Sequence, residues 1–384
     1  PICEDIWMDN VCNELKDQGC ELIISPNGSP FDKYKINQRK TIIEDRVTEI
    51  KIPFVYVNQF GGQDELVFDG SSLVMNGNKE VVFEAPSWVE NTSVVEFNAS
   101  AKKFNDLPFE KAQLSDLENI YMAMVIGLKD YVAKNNFPGV ILGLSGGIDS
   151  AFCAAVAVDA LGKDKVNAYM LPSVYTSKNS LDDAKDCAKR LEIHLDSIPI
   201  SNTFLSLEDS LEELFKGLPT DITEENLQSR IRGTILMAIS NKIGKMLITT
   251  GNKSEVSVGY STLYGDMNGG FNPIKDIYKT ELYALANWRN LNVPKNVLLT
   301  KKNIIPETII SKEPTAELRD NQKDSDSLPS YDQLDQILEG LVEYELSTNE
   351  LENKGFSRDE IKKVENLLYV SEYKRRQSAP GVKI

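Results

Sequence analysis

Val140-Ile-Leu-Gly-Leu-Ser-Gly-Gly-Ile-Asp-Ser150 runs without a break into the apolar segment 151–161. Four of its first five residues are aliphatic, the pattern of a strand buried on both faces of a parallel sheet. Two glycines then permit a tight turn, and the helix-forming residues that follow make the stretch a strand–turn–helix corner. Such a corner aims several backbone N–H groups at one point, with the positive end of the helix dipole behind them. That is an anion site, most naturally for phosphate. It is not a Walker A loop, because no lysine follows the glycines. Ser145 and Ser150 add hydroxyl donors, and Asp149 offers a carboxylate to a Mg²⁺ ion on the phosphates.

The pattern around this corner fixes the fold class. From about residue 115 strands and helices alternate regularly, with strands at 140–144, 166–171, 194–200 and 245–250. Helices are expected at 116–134, 150–161, 180–191, 202–215, 223–243 and 276–290, and Ser180 with Asp183 reads as a capping box. This is the signature of an α/β protein with a doubly wound parallel sheet. Its ligand should lie at the carboxyl ends of the strands, where segments 145–150, 172–177 and 250–255 all fall. A charged loop at 320–326 precedes a return to helix over 331–373. Residues 1–98 form a different mixed α/β unit, with helices at 6–20 and 35–50. Its strands fall at 21–25, 54–58, 64–69, 71–75 and 80–85. The polar stretch 99–114 is expected to link it to a second domain at 115–384.

Bulk properties narrow the function. At 384 residues the chain holds two or three domains, and no apolar run approaches the length of a membrane span. Five cysteines without a C-x-x-C pair point to a reducing, cytoplasmic setting. A net charge of −16 argues against nucleic acid as a partner, although a nucleotide can still be held locally by N–H donors and Mg²⁺. The single histidine, His194, leaves no room for a Ser-His-Asp triad or a multi-histidine metal centre, and it is read as structural.

Further motifs carry a family resemblance. They are Leu171-Pro-Ser-Val-Tyr-Thr-Ser177, Glu225-Asn-Leu-Gln-Ser-Arg-Ile-Arg232, Thr250-Gly-Asn-Lys-Ser-Glu255 and Gly259-Tyr-Ser-Thr-Leu-Tyr-Gly-Asp266. Pro273-Ile-Lys-Asp-Ile-Tyr-Lys-Thr-Glu-Leu282, Lys312-Glu-Pro-Thr-Ala-Glu-Leu318 and Glu372-Tyr-Lys-Arg-Arg-Gln377 complete the series. In order and spacing they resemble the NAD synthetases over roughly 120–384. The start, Pro1-Ile-Cys-Glu-Asp-Ile-Trp7 with Asn27-Gly-Ser-Pro-Phe-Asp-Lys-Tyr-Lys35, resembles the later half of a nitrilase-type glutaminase domain. Together they look like a glutamine-dependent NAD synthetase, an ATP-pyrophosphatase domain preceded by part of a nitrilase-like sandwich.

The resemblance implies ATP-dependent amidation of deamido-NAD through an acyl-adenylate, with release of AMP and pyrophosphate. It implies Mg²⁺ as the metal, held by Asp149 and Glu255. Gly143, Leu144, Ser145, Gly146, Gly147, Ile148, Asp149 and Ser150, with Thr250, Lys279 and Thr315, map onto ATP contacts. Asn226, Arg230, Glu255, Tyr260, Ser261, Thr262, Leu263, Asp266 and Lys374 map onto the region that holds deamido-NAD. Arg230 and Arg232 lie two apart on a helix and point to different faces, so only one is expected at the ligand, and Arg230 is favoured.

Cys3 maps onto the glutaminase nucleophile, and Ser29 and Lys35 onto glutamine contacts. The glutamate base and lysine of that family lie upstream of the matching segment. Glu4 cannot replace them, since strand neighbours point to opposite faces. The chain as given is therefore expected not to hydrolyse glutamine, and its N-terminal portion is expected to be missing. Ammonia or glutamine, ATP and deamido-NAD are the implied partners, in a homo-oligomer. Two other readings stay open: another S-G-G-x-D-S ligase, such as a GMP synthetase or a tRNA-thiolating enzyme, and a catalytically incomplete nucleotide-binding remnant.

Overall fold

The computed structural model describes residues 1–34, 38–107, 109, 114–320 and 322–384. The chain divides into two units, one of Pro1–Asp130 with Lys383–Ile384 and one of Tyr131–Val382. Among the described residues no helix is long and apolar enough to cross a membrane.

In the first unit, strands β1 (Ile23–Asn27) and β2 (Phe54–Asn58) pair in parallel. β5 (Leu73–Met75) and β6 (Val81–Glu84) extend the sheet antiparallel, giving the order β1-β2-β5-β6. The hairpins β3 (Phe60–Gln63)–β4 (Leu66–Asp69) and β7 (Phe97–Asn98)–β8 (Lys103–Phe104) stand apart from it. Helix α1 (Asp9–Asp17) is shorter than expected, because residues Cys3–Trp7 form a separate 3₁₀ turn. Helix α2 is described over Gln38–Ile50 and presents Ile43, Val47 and Ile50, three and four apart, to the core formed by Ile23, Phe54 and Met75. The β7–β8 hairpin corrects the sequence reading of 99–114 as plain polar linker. Phe104 is buried and its ring lies 5.1 Å from that of Phe97, a cross-strand pair that the surrounding charges concealed.

The second unit is wound around an all-parallel sheet of order β11-β10-β9-β12, from β9 (Val140–Gly143), β10 (Val166–Met170), β11 (His194–Ser197) and β12 (Met246–Leu247). Val140, Ile141 and Leu142 are wholly buried, as the continuous apolar run requires. Helix α3 (Asp116–Lys134), most of which belongs to the first unit, precedes β9, and α4 (Ile148–Leu161) follows it. Residues 151–158 of α4 are almost completely buried, so α4 is apolar all round. Helices α5 (Lys178–Leu191), α6 (Ser201–Phe215) and α7 (Ile222–Ile243) connect the remaining strands, and α8 (Lys253–Ser257) lies just beyond β12. Because β10 and β12 flank β9 on opposite sides, the chain's winding reverses beside β9, and a crevice opens at the strand carboxyl ends there.

Three sequence expectations are corrected here. Helix α5 is capped by Ser177, whose Oγ accepts from Ser180 N at 3.1 Å, so Ser180 is the third residue of the cap and does not start a box with Asp183. β12 ends early because Ile248 forms a single bridge with Phe271. Helix α9 (Lys279–Leu291) starts three residues late, its first N–H held by the Ser254 hydroxyl. Beyond α10 (Glu307–Ser311), helices α11 (Tyr331–Val342), α12 (Thr348–Asn353), α13 (Arg358–Val370) and α14 (Glu372–Arg375) close the unit. They pack around Leu334, Ile337, Leu338, Leu351, Ile361 and Val364.

Candidate functional site

The glycine turn after β9 is built as the sequence requires. Gly146 has φ +81°, a region that favours glycine, and a Cβ there would collide with the Ser180 carbonyl oxygen. Gly147 caps α4 through its backbone alone, leaving the first N–H groups of the helix without a side-chain cap. The two serines fold the turn on itself: Ser145 N donates to Ser150 Oγ at 3.2 Å, and Gly147 N to Ser145 Oγ at 3.2 Å.

This turn forms one wall of a cavity of about 330 Å³ in the second unit. Of the expected ATP contacts, Gly143, Leu144, Ser145, Gly147, Ile148, Asp149, Ser150, Thr250, Lys279 and Thr315 line it, and Gly146 lies within the turn. Glu255, Tyr260, Ser261 and Asp266 join them from the expected deamido-NAD set.

At the base of the cavity Lys279 Nζ donates to Asp149 Oδ2 at 2.6 Å and to Glu255 Oε1 at 2.8 Å. Asn252 ties the same elements together, donating through Nδ2 to Asp149 Oδ1 at 2.7 Å and accepting from Glu255 N at 3.0 Å. Burial works against the Lys279 charge, but Asp149 and Glu255 outweigh it and hold its pKa above the ordinary lysine value. Burial, reinforced by the Asp149 charge, raises the Glu255 carboxyl. Tyr331 Oη donates to Glu255 Oε1 at 3.1 Å or to Asp324 Oδ2 at 2.8 Å, one at a time because it has one proton. Tyr260 Oη donates to the other Asp324 oxygen at 3.1 Å.

The same groups have the makings of a Mg²⁺ site. Two carboxylates already converge on one cation, the Lys279 ammonium, and both are hard oxygen donors. Among the described residues no group of three or more His, Cys, Asp or Glu could cage a metal by itself. The pair therefore has the donor chemistry that Mg²⁺ would require.

The remaining expected ligand residues form an adjoining cluster behind the 259–266 loop. Thr262 Oγ1 donates to Asn226 Oδ1 at 2.9 Å, and Arg230 Nε to Leu263 O at 3.2 Å. Lys374 Nζ donates to Gly259 O at 2.7 Å and to Ser261 O at 2.6 Å. Asp266 accepts from Thr262 N at 2.9 Å and from Ser229 Oγ at 3.2 Å. Arg232, rather than the favoured Arg230, lines the cavity, with Nε donating to Leu171 O at 2.9 Å. Burial draws its pKa down to about 10, partly offset by Glu317 and Asp266, and it stays charged at neutral pH.

Several lining residues were not singled out from the sequence. Glu317 accepts from Ser177 Oγ at 2.8 Å and from Ser180 Oγ at 2.7 Å. Lys312 Nζ donates to Ser180 Oγ at 2.8 Å and to Gly146 O at 3.1 Å. Both stand in the 312–318 motif, whose order was the only signal available.

In the first unit Cys3 opens the 3₁₀ turn with φ +48°, an uncommon conformation for a side-chain-bearing residue. Ser29 N donates to Asn58 Oδ1 at 2.9 Å, and Arg39 holds both the Ser29 carbonyl, at 3.2 Å, and Asp69, at 2.6 Å. Lys35 lies outside the described residues. His194 is exposed on β11 and pairs with Asp196 at 2.9 Å, away from the cavity lining.

Two family models match the chain. A family described as NAD synthase matches residues 120–378, and one described as carbon-nitrogen hydrolase matches residues 1–104. A glutamine-dependent NAD(+) synthetase of Rhodobacter capsulatus is 48% identical over 385 residues, covering 100% of this chain and 70% of that protein. The enzyme of the same name from Acinetobacter baylyi is 45% identical, covering 100% of this chain and 69% of its own length. The solved glutamine-dependent NAD+ synthetase of Acinetobacter baumannii, a complex with adenosine diphosphate, superposes with a TM-score of 0.77 at 42% identity. It covers 100% of this chain and 69% of that one.

Proposed function

The chain belongs to the family of glutamine-dependent NAD synthetases, and on that premise we propose how its own residues carry the reaction. It is a carbon–nitrogen ligase that amidates deamido-NAD to NAD, using ATP and ammonia derived from glutamine.

In the first step the carboxylate of deamido-NAD attacks the α-phosphorus of ATP, forming an acyl-adenylate as the bond to pyrophosphate breaks. Ammonia then attacks the acyl carbon, and AMP leaves with one oxygen of the original carboxylate. No protein nucleophile is required, so the protein's work is alignment and charge stabilisation. The unshared N–H groups at the start of α4, with Ser145 and Ser150, receive the pyrophosphate. Asp149 and Glu255 would hold Mg²⁺, which supplies neutralisation of the phosphate oxygens when bound. Lys279, which occupies the space between those carboxylates, turns towards the phosphates as they enter. Thr250, Thr315, Lys312 and Arg232 line the same cavity and complete its donor set. Tyr260, Ser261 and Asp266 face deamido-NAD, while Asn226, Arg230, Thr262, Leu263 and Lys374 hold their loop in place.

In the first unit the family resemblance supports Cys3 as the nucleophile towards glutamine in the complete enzyme, with Ser29 and Lys35 as contacts. The five free cysteines suit a reducing, cytoplasmic setting, and assembly as a homo-oligomer follows the family resemblance.

The observation that carries this reading is the convergence of the glycine turn, Asp149, Glu255 and Lys279 in one cavity at the strand carboxyl ends. Deamido-NAD labelled with ¹⁸O in its carboxylate tests it. One labelled oxygen should appear in AMP for each NAD formed; label in pyrophosphate, or unlabelled AMP, would contradict the acyl-adenylate.

A further inference from the structure

Helix α11 holds the Asp149–Lys279–Glu255 centre at two points that no motif marked. Tyr331 opens the helix and donates from Oη to Glu255 Oε1 at 3.1 Å, while its ring lies 5.2 Å from Lys279 Nζ. Asp335 follows four residues later, on the same helix face. Its Oδ2 accepts from Thr280 N and from Thr280 Oγ1, each at 2.8 Å, and its Oδ1 accepts from the Ser254 hydroxyl. Ser254 Oγ in turn accepts from Lys279 N at 2.8 Å. One face of α11 thus reaches the consecutive residues Ser254 and Glu255 on α8 and the consecutive residues Lys279 and Thr280 on α9.

We propose that α11 is a clamp, with Tyr331 and Asp335 as positioning residues that set the Asp149–Glu255 geometry for the divalent cation. The inference rests on the reading of those two carboxylates as metal ligands. Neither clamp residue forms part of the cavity lining. The helix is a firm base: Leu334, Ile337 and Leu338 are wholly buried in the C-terminal helical core. Asp335 is 4% exposed, with its charge at the amino end of α9, where the helix dipole favours it and three donors satisfy it. Lys279 is thereby held from its backbone, and Glu255 at Oε1, the same oxygen that accepts from the lysine. Tyr260 keeps Asp324 supplied with a donor while Tyr331 turns to Glu255. A carboxylate fixed in this way meets the strict octahedral demand of Mg²⁺, whereas a freely rotating one loses affinity through disorder.

Binding of Mn²⁺ to the full chain without nucleotide, followed by the EPR signal of the free ion, tests the clamp. Melting temperature and steady-state kinetics accompany it. Tyr331→Phe, which removes only the hydroxyl, should weaken Mn²⁺ binding about tenfold, the weight of one hydrogen bond to a charged group. It should lower kcat while leaving KM for deamido-NAD and the melting temperature near wild type. Asp335→Asn, which keeps an acceptor for Thr280, should retain more Mn²⁺ affinity than Asp335→Ala. Glu255→Gln should abolish Mn²⁺ binding. Wild-type Mn²⁺ affinity in Tyr331→Phe, with Glu255→Gln inactive in binding, overturns the clamp and leaves the metal reading standing. Wild-type affinity in Glu255→Gln overturns both. A Tyr331→Phe defect that vanishes on cooling, in step with a lowered melting temperature, also overturns the clamp.

Discussion

Lys279 Nζ lies 2.6 Å from Asp149 Oδ2 and joins the first turns of α9 and α4, 130 residues apart in sequence. With Glu255 on its other flank, one buried ammonium is shared between two carboxyl groups. The centre is thus an ion pair ready to accept further positive charge.

Removing the lysine leaves two like charges together without a counter-ion. Lys279→Met should therefore destabilise the protein by about 3–5 kcal/mol in the absence of divalent cation. Mg²⁺ should restore part of that loss in the variant and have a smaller effect on wild type. Urea denaturation with and without Mg²⁺ measures both. Wild-type stability in metal-free Lys279→Met would show that the pair contributes nothing.

Glu317 ties the 312–318 segment to the first turn of α5 through Ser177 and Ser180, and both segments line the cavity. Loss of its carboxylate should raise KM for ATP about tenfold, the cost of about one charged hydrogen bond, with a smaller change in kcat. Glu317 also sits at φ +50°, so Glu317→Gly relieves the backbone while Glu317→Ala does not. The two variants should share one kinetic defect and differ in melting temperature. Unchanged KM for ATP in both would remove the grip from the account.

Asp266 carries a raised pKa, first because it is buried, although Thr262, Ser229 and Lys374 each pull it back down. A carboxyl whose pKa is higher folded than unfolded binds more protons in the folded state. Its contribution to stability therefore falls as pH rises from the ordinary value of 3.8 through the raised one. Asp266→Asn keeps an acceptor for Thr262 N and removes this dependence. Stability measured by denaturant from pH 4 to pH 7 should fall in wild type relative to the variant as pH rises. The variant should meanwhile need more deamido-NAD for half-maximal rate. A stability difference that stays flat with pH would mean that Asp266 is not destabilised by burial.

Local chemistry was legible in the sequence, and distant pairing was not. The 140–150 stretch specified its strand, turn and helix because each residue's conformational preference agrees with its neighbours'. The placement of ligand at the strand ends followed from alternation alone, and the segments at 145–150 and 250–255 do meet in the cavity. Arg230 and Arg232 could be told apart as facing different ways, but which one faces the cavity depends on how α7 packs on the sheet. Tyr331 and Asp335 sit in an ordinary amphipathic helix, and only the folded chain brings them to Glu255 and Thr280. The cap falls on Ser177 rather than Ser180, and both serines precede the same apolar periodicity.

The most direct measurement is NAD formation from deamido-NAD, ATP, Mg²⁺ and ammonium, comparing the wild-type chain with Asp149→Asn at equal folded concentration. Wild type should release AMP, pyrophosphate and NAD in equal amounts. Asp149→Asn should be slower by about a hundredfold or more, the scale expected when charge stabilisation at the reacting phosphate is lost. NAD formed by Asp149→Asn at the wild-type rate would contradict the account.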